Sequence, residues 1–503
     1  MGFVSLKSQV CLRLPPDPAS RRRPCLRLAV GAINPRSGLS PPSTTVLGLW
    51  YTELMNDLPM ATAKASPEAL PELESFLRPF APLLRYRQSR ESLERYVTGL
   101  LTDLRRKNCD TIADAVAGTS TQRLQHLLTD APWTALATDE QRVRMLAPRS
   151  PGGGILLFDD VGLPKQGKSS VGVARQYCGR LGKVGNCQVV VTTEYVVDEP
   201  TSSRPLHWPV TARLYLPEAW AGNRERRDKA HVPEEVSFQT KPEIALDQLD
   251  LALAWEVPFA FVVADCGYGD NPHFLEGLEK RQCSYVCGVG STFGLRLPEE
   301  VRAAAEVPPL PHPGPGQPKK PRPAPLHTTE ALIKGVAEEA WRTVTWREGT
   351  KAKLSKQFVA IRAHRATGGK NGAVSVDHAT VTTGPEGWLL AERPLPGEKG
   401  ERKYYYSNLP AHASLERLVT LAHSRWAIEQ FYEDGNGECG LDHFQGRRWD
   451  GLHRHLALVM LTYSFLMQQR LPSAASGEEG FFPLSHNTHL PRRTPTGAEL
   501  AVA

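Results

Sequence analysis

Residues 155–191 read ILLFDDVGLPKQGKSSVGVARQYCGRLGKVGNCQVVV, and the fold of this 503-residue chain turns on them. The first four are an apolar run of the kind that forms a buried strand. Two adjacent aspartates, Asp159 and Asp160, close the run, and a turn rich in glycine and lysine follows. In an open α/β sheet a strand ending in carboxylates delivers them to the edge where metals and substrates gather. A second strand of this kind is FAFVVAD, residues 259–265, and Glu429 lies in the helical pattern SRWAIEQFYED. Three carboxylates on separate elements suit a divalent-metal site, because two Mg2+ ions about 3.5 to 4 Å apart need several hard oxygen ligands. For any one of these aspartates a helix cap or turn is the simpler reading. Their combination points to phosphoryl chemistry.

Three long blocks carry a family resemblance: DDVGLPKQGKSSVGVARQYCGRLGKVGNCQVVVT at 159–192, VVADCGYGDNPHFLEGLE at 262–279, and RWAIEQFYEDGNGECGLDHFQGRRWDGLHRHLALVMLTYSFL at 425–466. In this order they resemble the DDE transposases of the insertion-sequence 4 superfamily, in its 701-type branch, from about Leu70 to Gln469. The resemblance implies an α/β fold with an RNase H-like catalytic core, a β-rich insertion within it, and a helical DNA-binding region before it. It further implies cut-and-paste transposition with two Mg2+ ions, Mn2+ serving as a substitute. The implied partners are the transposon's terminal inverted repeats and target DNA, bound by a homodimer in the bacterial cytoplasm at the nucleoid.

Carried over residue by residue, the triad falls on Asp159, Asp265 and Glu429, with Asp160 as the alternative first aspartate. Relatives place that aspartate two residues before a small Thr or Val, here Val161, which favours Asp159. The separations are 265 − 159 = 106 and 429 − 265 = 164, and the second has room for an inserted subdomain. The family's Tyr, Arg, Glu, Lys signature is kept at Arg425 but not at Ala422, where the tyrosine belongs, or at Asn436, where the lysine belongs. An amide cannot supply the point charge a lysine offers a phosphate. Arg425 stands one helical turn before Glu429 and is expected either to reach a phosphate or to pair with that glutamate. Lys165, Lys168 and Arg123, with Arg425 and position 436, are the expected DNA contacts.

GLPKQGKS at 162–169 also satisfies the Walker A spacing, with FVVAD as a possible acidic strand. A phosphate-binding loop needs a helix directly after it. The residues that follow, SVGVARQYCGRLGKVGN, alternate β-branched valine with glycine and read as strand and hairpin.

Charged residues at 23% and apolar residues at 41% are ordinary for a globular chain of two to four domains. No run reaches the ~20 apolar residues of a membrane span. The longest, HLALVMLTYSFLM at 455–467, is expected to be a core helix beneath the helix of Glu429. Net charge is +6, of which residues 1–60 contribute +4 (seven Lys or Arg against three Asp or Glu), so DNA contacts must come from local basic patches. Residues 1–60, with an RRRP run and scattered prolines, read as disordered or as an over-extended reading frame, with Met55 or Met60 as alternative starts. The nine cysteines form no CxxC pair, so reduced thiols rather than a zinc site are expected.

Residues 71–148 read as helices. Within them TIADAVAG and STQRLQHLLTD flank a turn at Gly118, a helix-turn-helix candidate with Ser120 as cap and Gln122, Arg123 and His126 exposed. Residues 151–305 alternate strand and helix as the first part of the core. VPPLPHPGPGQPKKPRPAPLH at 307–327 is an extended linker, and 329–412 is the antiparallel insertion. The core resumes at 413–470, and the Pro-containing tail from 471 has little periodicity and is expected to be disordered or frameshifted.

Overall fold

The computed structural model describes residues 70–199, 205–307, 323–348, 353–367 and 381–468. The expectations for residues 1–60, for most of the Pro-rich linker and for the tail lie outside these ranges.

Five helices come first: α1 (Pro71–Leu77), α2 (Arg87–Leu101), α3 (Cys109–Ala115), α4 (Thr121–Thr129) and α5 (Ala135–Leu146). Their starts follow capping chemistry. Asn108 and Thr111 form a reciprocal capping box, and the Ser120 hydroxyl accepts from the Arg123 backbone N–H at 3.3 Å. In α2 the buried residues Leu93, Tyr96, Val97, Leu100 and Leu101 recur at the spacing of one helical face.

The sheet then begins with β1 (Gly154–Pro164), β2 (Ala174–Cys178), β3 (Lys183–Val196) and β4 (His207–Tyr215). Next come α6 (Glu218–Ala221), α7 (Arg224–Lys229), α8 (Lys241–Ala254), β5 (Phe259–Ala264), α9 (Cys266–Gly269), α10 (Pro272–Lys280), β6 (Ser284–Val289) and β7 (Gly294–Arg296). After α11 (Pro298–Glu306), β8 (His327–Thr328) and α12 (Thr329–Lys334) run the long strands β9 (Arg342–Glu348), β10 (Lys353–Thr367), β11 (Thr382–Arg393) and β12 (Lys403–Ser407). The described chain ends with α13 (Leu415–Ala422), α14 (Trp426–Gly437) and α15 (Trp449–Gln468).

All the described strands join one sheet in the order β2-β3-β1-β5-β6-β12-β11-β10-β7-β8, with β4 also on β3 and β9 on β10. Strands β1, β5 and β6 are parallel, whereas β12 pairs antiparallel with β6, setting Tyr404 opposite Val289 and Ser407 opposite Val286. The segment read as an insertion forms antiparallel strands that continue the same sheet edge to edge from β6. The end of the expected linker is also structured, since His327 and Thr328 pair with β7.

Alternation along β1 divides its side chains between two cores. Leu156 and Phe158 enter the larger core, and Ile155 and Leu157 enter a second one built with Leu418, Val419, Ala427 and Ile428 of α13 and α14. Burying each such aliphatic side chain contributes about 1.5–3 kcal/mol. The larger core is centred on α15, buried along nearly its whole length, as its apolar composition predicts. The N-terminal helices pack onto it. Phe76 meets Phe465 with ring centroids 5.4 Å apart, and the Tyr96 hydroxyl bonds His455 Nδ1 at 2.8 Å. No helix among the described residues is long and apolar enough to cross a membrane.

Candidate active site

Parallel pairing of β1 with β5 sets Phe158 beside Ala264, so the next residues, Asp159 and Asp265, leave neighbouring strands at the same edge. Asp265 is also the N-cap of α9, its carboxylate accepting from the Gly267 N–H at 2.9 Å. Helix α9 lies against β6 because residue 269 is glycine: a Cβ there would fall 2.0 Å from the Gly288 carbonyl oxygen.

The adjacent aspartates have separate surroundings, as strand alternation requires. Asp159 shares the face of Ile155 and Leu157, and its Oδ2 accepts from the Arg425 guanidinium at 2.7 Å. Asp160 pairs instead with Lys241 of α8 at 2.9 Å. Burial raises the Asp159 carboxyl, the Arg425 charge pulls it back and Asp265 raises it again, so that it titrates at about 6.

Arg425 is the N-cap residue of α14, and Glu429 lies exposed in the first turn of that helix. Burial alone would lower the guanidinium's pKa, but Asp159, Asp265 and Glu429 together raise it, so Arg425 is firmly protonated. All three carboxylates thus act electrostatically on one cation. The sequence offered two partners for Arg425, a phosphate or Glu429; its hydrogen bond goes to Asp159, 266 residues away in the chain.

Two further contacts fix α14. Tyr432, one turn beyond Glu429, shares a hydrogen bond with Thr192 of β3, the residue opposite Asp159 in the ladder. At the other end, strands β9 to β11 brace the turn into the helix. Trp346 stacks on His423 with centroids 3.9 Å apart, Arg347 lies 3.7 Å over the Trp426 ring, and buried Glu392 pairs with His423 at 3.0 Å and with Lys356. Although burial would raise the Glu392 carboxyl, these two partners carry it down to about 2.

Sequence reading missed Tyr268. Its hydroxyl is buried near Asp159, Asp160 and Asp265, and it has no hydrogen-bond partner among the described residues. The aromatic residue in CGYG is visible in the sequence, but its orientation depends on the packing of α9 on β6.

The other expected site residues are dispersed. Lys165 turns inward to the Phe444 carbonyl at 2.5 Å, and burial lowers its ammonium to about 8. Lys168 is exposed, with its carbonyl accepting from Arg226 at 3.3 Å. Arg123 is held by Glu91 at 3.0 Å and by the Gly118 carbonyl at 3.0 Å, while Gln122 and His126 are exposed. Asn436 donates to the Tyr432 carbonyl at 2.7 Å and accepts from Arg180 at 3.4 Å. No helix follows GLPKQGKS; the chain enters β2, so the phosphate-cradling helix terminus of a Walker A loop is absent there. His455 is buried and His453 half-buried; both are neutral and structural, desolvation lowering each to about 4.

Carboxylate oxygens are the ligands that hard divalent cations take. Asp159 and Asp265, with the unpartnered Tyr268 hydroxyl beside them, suit such an ion chemically. Among the described residues, however, no three His, Cys, Asp or Glu side chains gather closely enough to hold one. In this arrangement Arg425 supplies the positive charge.

The chain belongs to the DDE superfamily endonucleases, whose family model matches residues 79–353, more than half of its length. It is also similar to a protein of Microchaete diplosiphon described as a probable transposase for insertion sequence element IS701, with 30% identity over 206 residues. That match covers 41% of this chain and 50% of the relative, so the chain spans about half the length of the curated protein it matches. Both findings bear out the resemblance to DDE transposases of the 701 type.

Proposed function

We propose that this protein is a DNA transposase that cleaves transposon ends and joins them to target DNA by a cut-and-paste route. The observation that carries this reading is the placing of Asp159 and Asp265 at one edge of parallel strands, with Arg425, which caps the helix of Glu429, bonded to Asp159. The order β4-β3-β1-β5-β6, antiparallel in its first half and parallel in its second, supports an RNase H-like description of the core. Asp159, Asp265 and Glu429 would hold two divalent cations, Mg2+ or its substitute Mn2+, which would activate a water or terminal hydroxyl and offset charge on the leaving oxygen. Asp160 is the weaker candidate, being committed to Lys241.

The chain's own residues have distinct parts in this reading. With a carboxyl near 6, Asp159 is ionised at neutral pH and available as a ligand. Arg425, released from Asp159, would give a phosphate two parallel hydrogen bonds. Tyr268 has a hydroxyl to offer a ligand at the carboxylates. Tyr432 and the Trp346–His423 stack hold the angle at which Glu429 approaches. Exposed Lys168, Gln122 and His126 are candidate DNA contacts, whereas Lys165 and Arg123 would first have to leave intramolecular partners. Two ends joined in one reaction call for a homodimer on DNA.

The test is cleavage of a duplex carrying the inverted repeat that flanks the reading frame, with Mg2+ or Mn2+, by the parent protein and by Glu429→Gln. Cleavage by the parent alone supports the triad. If the folded parent binds the end but cuts with neither ion, the catalytic reading fails, and Asn436→Lys becomes the informative variant.

A further inference from the structure

From Val161 to Thr193 the chain contains no Asp or Glu, yet it carries Lys165, Lys168, Arg175, Arg180 and Lys183. The last three belong to the hairpin of β2, a 3-10 turn at Gly179–Leu181 and the start of β3. Its register sets Tyr177 opposite Val184 and Arg175 opposite Asn186, so these four side chains share one face. That face is open: Tyr177 is 65% exposed and Val184 is 54% exposed, with Leu181 also exposed at the tip. Arg175 on this face and Lys183, opposite Cys178 on the other face at the tip, are exposed as well, and among the described residues neither pairs with a carboxylate. Strand β2 ends the sheet order, so among the described residues its outer edge is unpaired.

The hairpin also has a fixed relation to the carboxylate site. Its tip reaches α14 through Arg180, which bonds Asp442 and lies 3.4 Å from Asn436. Asn436 is seven residues beyond Glu429, about 10 Å along the helix axis. At about 3.4 Å per base pair, that is roughly three base pairs from a phosphate held at Glu429.

We propose that the β2–β3 hairpin is a DNA-contact surface that grips the duplex beside the reacting phosphate. Arg175 takes a backbone phosphate on this face, Lys183 takes one from the other side of the hairpin tip, and Tyr177 with Val184 lies against the sugar edge. This assignment rests on the transposase reading and adds a surface to it. Charge favours DNA over a second copy of the chain: an isologous contact would set this acid-free cationic strip against itself, whereas a polyanion complements it.

The experiment titrates the full chain with a fluorescein-labelled blunt duplex of arbitrary sequence and follows anisotropy against KCl concentration. It compares the parent with Arg175→Gln/Lys183→Gln, with Tyr177→Ser and with the remote control Lys334→Gln. The double variant is expected to bind more weakly and to lower the log–log salt slope by about one for each phosphate it no longer neutralises, about two in all. Tyr177→Ser is expected to weaken binding with the slope unchanged, and Lys334→Gln to match the parent. DNA should also protect Lys183 of the parent from acetylation. A double variant with the parental slope and affinity overturns the proposal. So does a variant whose only change is its sedimentation, which would mark the hairpin as a self-association surface. A folded parent that binds no DNA at all would instead count against the transposase reading itself.

Discussion

Asp159 and Asp265 are seated by the backbone ladder of two parallel strands, whereas Glu429 is seated by side chains. Its helix is held through Arg425 and Tyr432 on the sheet and through a turn clasped by Trp346, Arg347 and Glu392 of the insertion. A ladder tolerates the loss of a single side chain, because main-chain bonds carry it. A seat made of a stack and two ion pairs does not. Strands β9 and β11 therefore have a direct part in placing the helix of Glu429.

The largest effects should come from the carboxylates themselves. Asp159→Asn, Asp265→Asn and Glu429→Gln are each expected to lower end cleavage by at least on the order of a hundred- to a thousandfold, the scale of losing one charge-stabilising group. Retained cleavage in any of the three would remove that residue from the site. Next comes the brace. His423→Ala is expected to slow cleavage about tenfold to a hundredfold by misplacing Glu429. It should also cost about 2 kcal/mol in urea unfolding, since Glu392 keeps Lys356 and the Tyr405 hydroxyl. Parental cleavage by a destabilised His423→Ala protein would mean that the insertion supports the fold and not the site.

Acid distinguishes the two seats. A divalent cation held by Asp159 would compete with protons for its carboxyl, so on the proposed function Mn2+ affinity measured by calorimetry should fall as pH drops below about 6. A flat profile between neutrality and mild acid would exclude Asp159 as a ligand. Because this carboxyl is raised, the folded state binds its proton more tightly than the unfolded chain, and its contribution to stability grows as pH falls through 6 toward the ordinary 3.8. Glu392 is the opposite case. Lowered to about 2, it contributes stability in full above its ordinary 4.5, and this is lost as pH falls toward 2. Thermal melts of Glu392→Gln should therefore lack the parent's acid-sensitive component in that window. The smallest effect is expected of Asp160→Asn, which gives up a partly exposed pair with Lys241. It should lose less than about 1 kcal/mol and keep most of its cleavage.

Much of this was legible in the sequence. The apolar runs before Asp159 and Asp265 are strands, the residues after GLPKQGKS form a hairpin and not a phosphate-cradling helix, and 455–467 is a core helix. Each depends on periodicity or turn chemistry within a short window. Other features depend on which segments become neighbours. Nothing near Arg425 announces a bond to Asp159, and nothing near His423 announces Trp346 and Glu392. Tyr268 reads as one aromatic residue among many until α9 is packed on β6. The departures at Ala422 and Asn436 were visible, but not that Asn436 would lie beside Arg180.

The pairing of β12 with β6 bears on how the protein could be dissected. An inserted module joined by a flexible tether can be excised and the two stumps spliced. Here excision of β8 to β12 would strip one side of β6, leaving its N–H and C=O groups as an open template for any passing strand. A shortened protein made that way would begin with an adhesive edge next to Asp159 and Asp265, so a workable miniature would have to keep β12 as a cover strip or replace it with another strand.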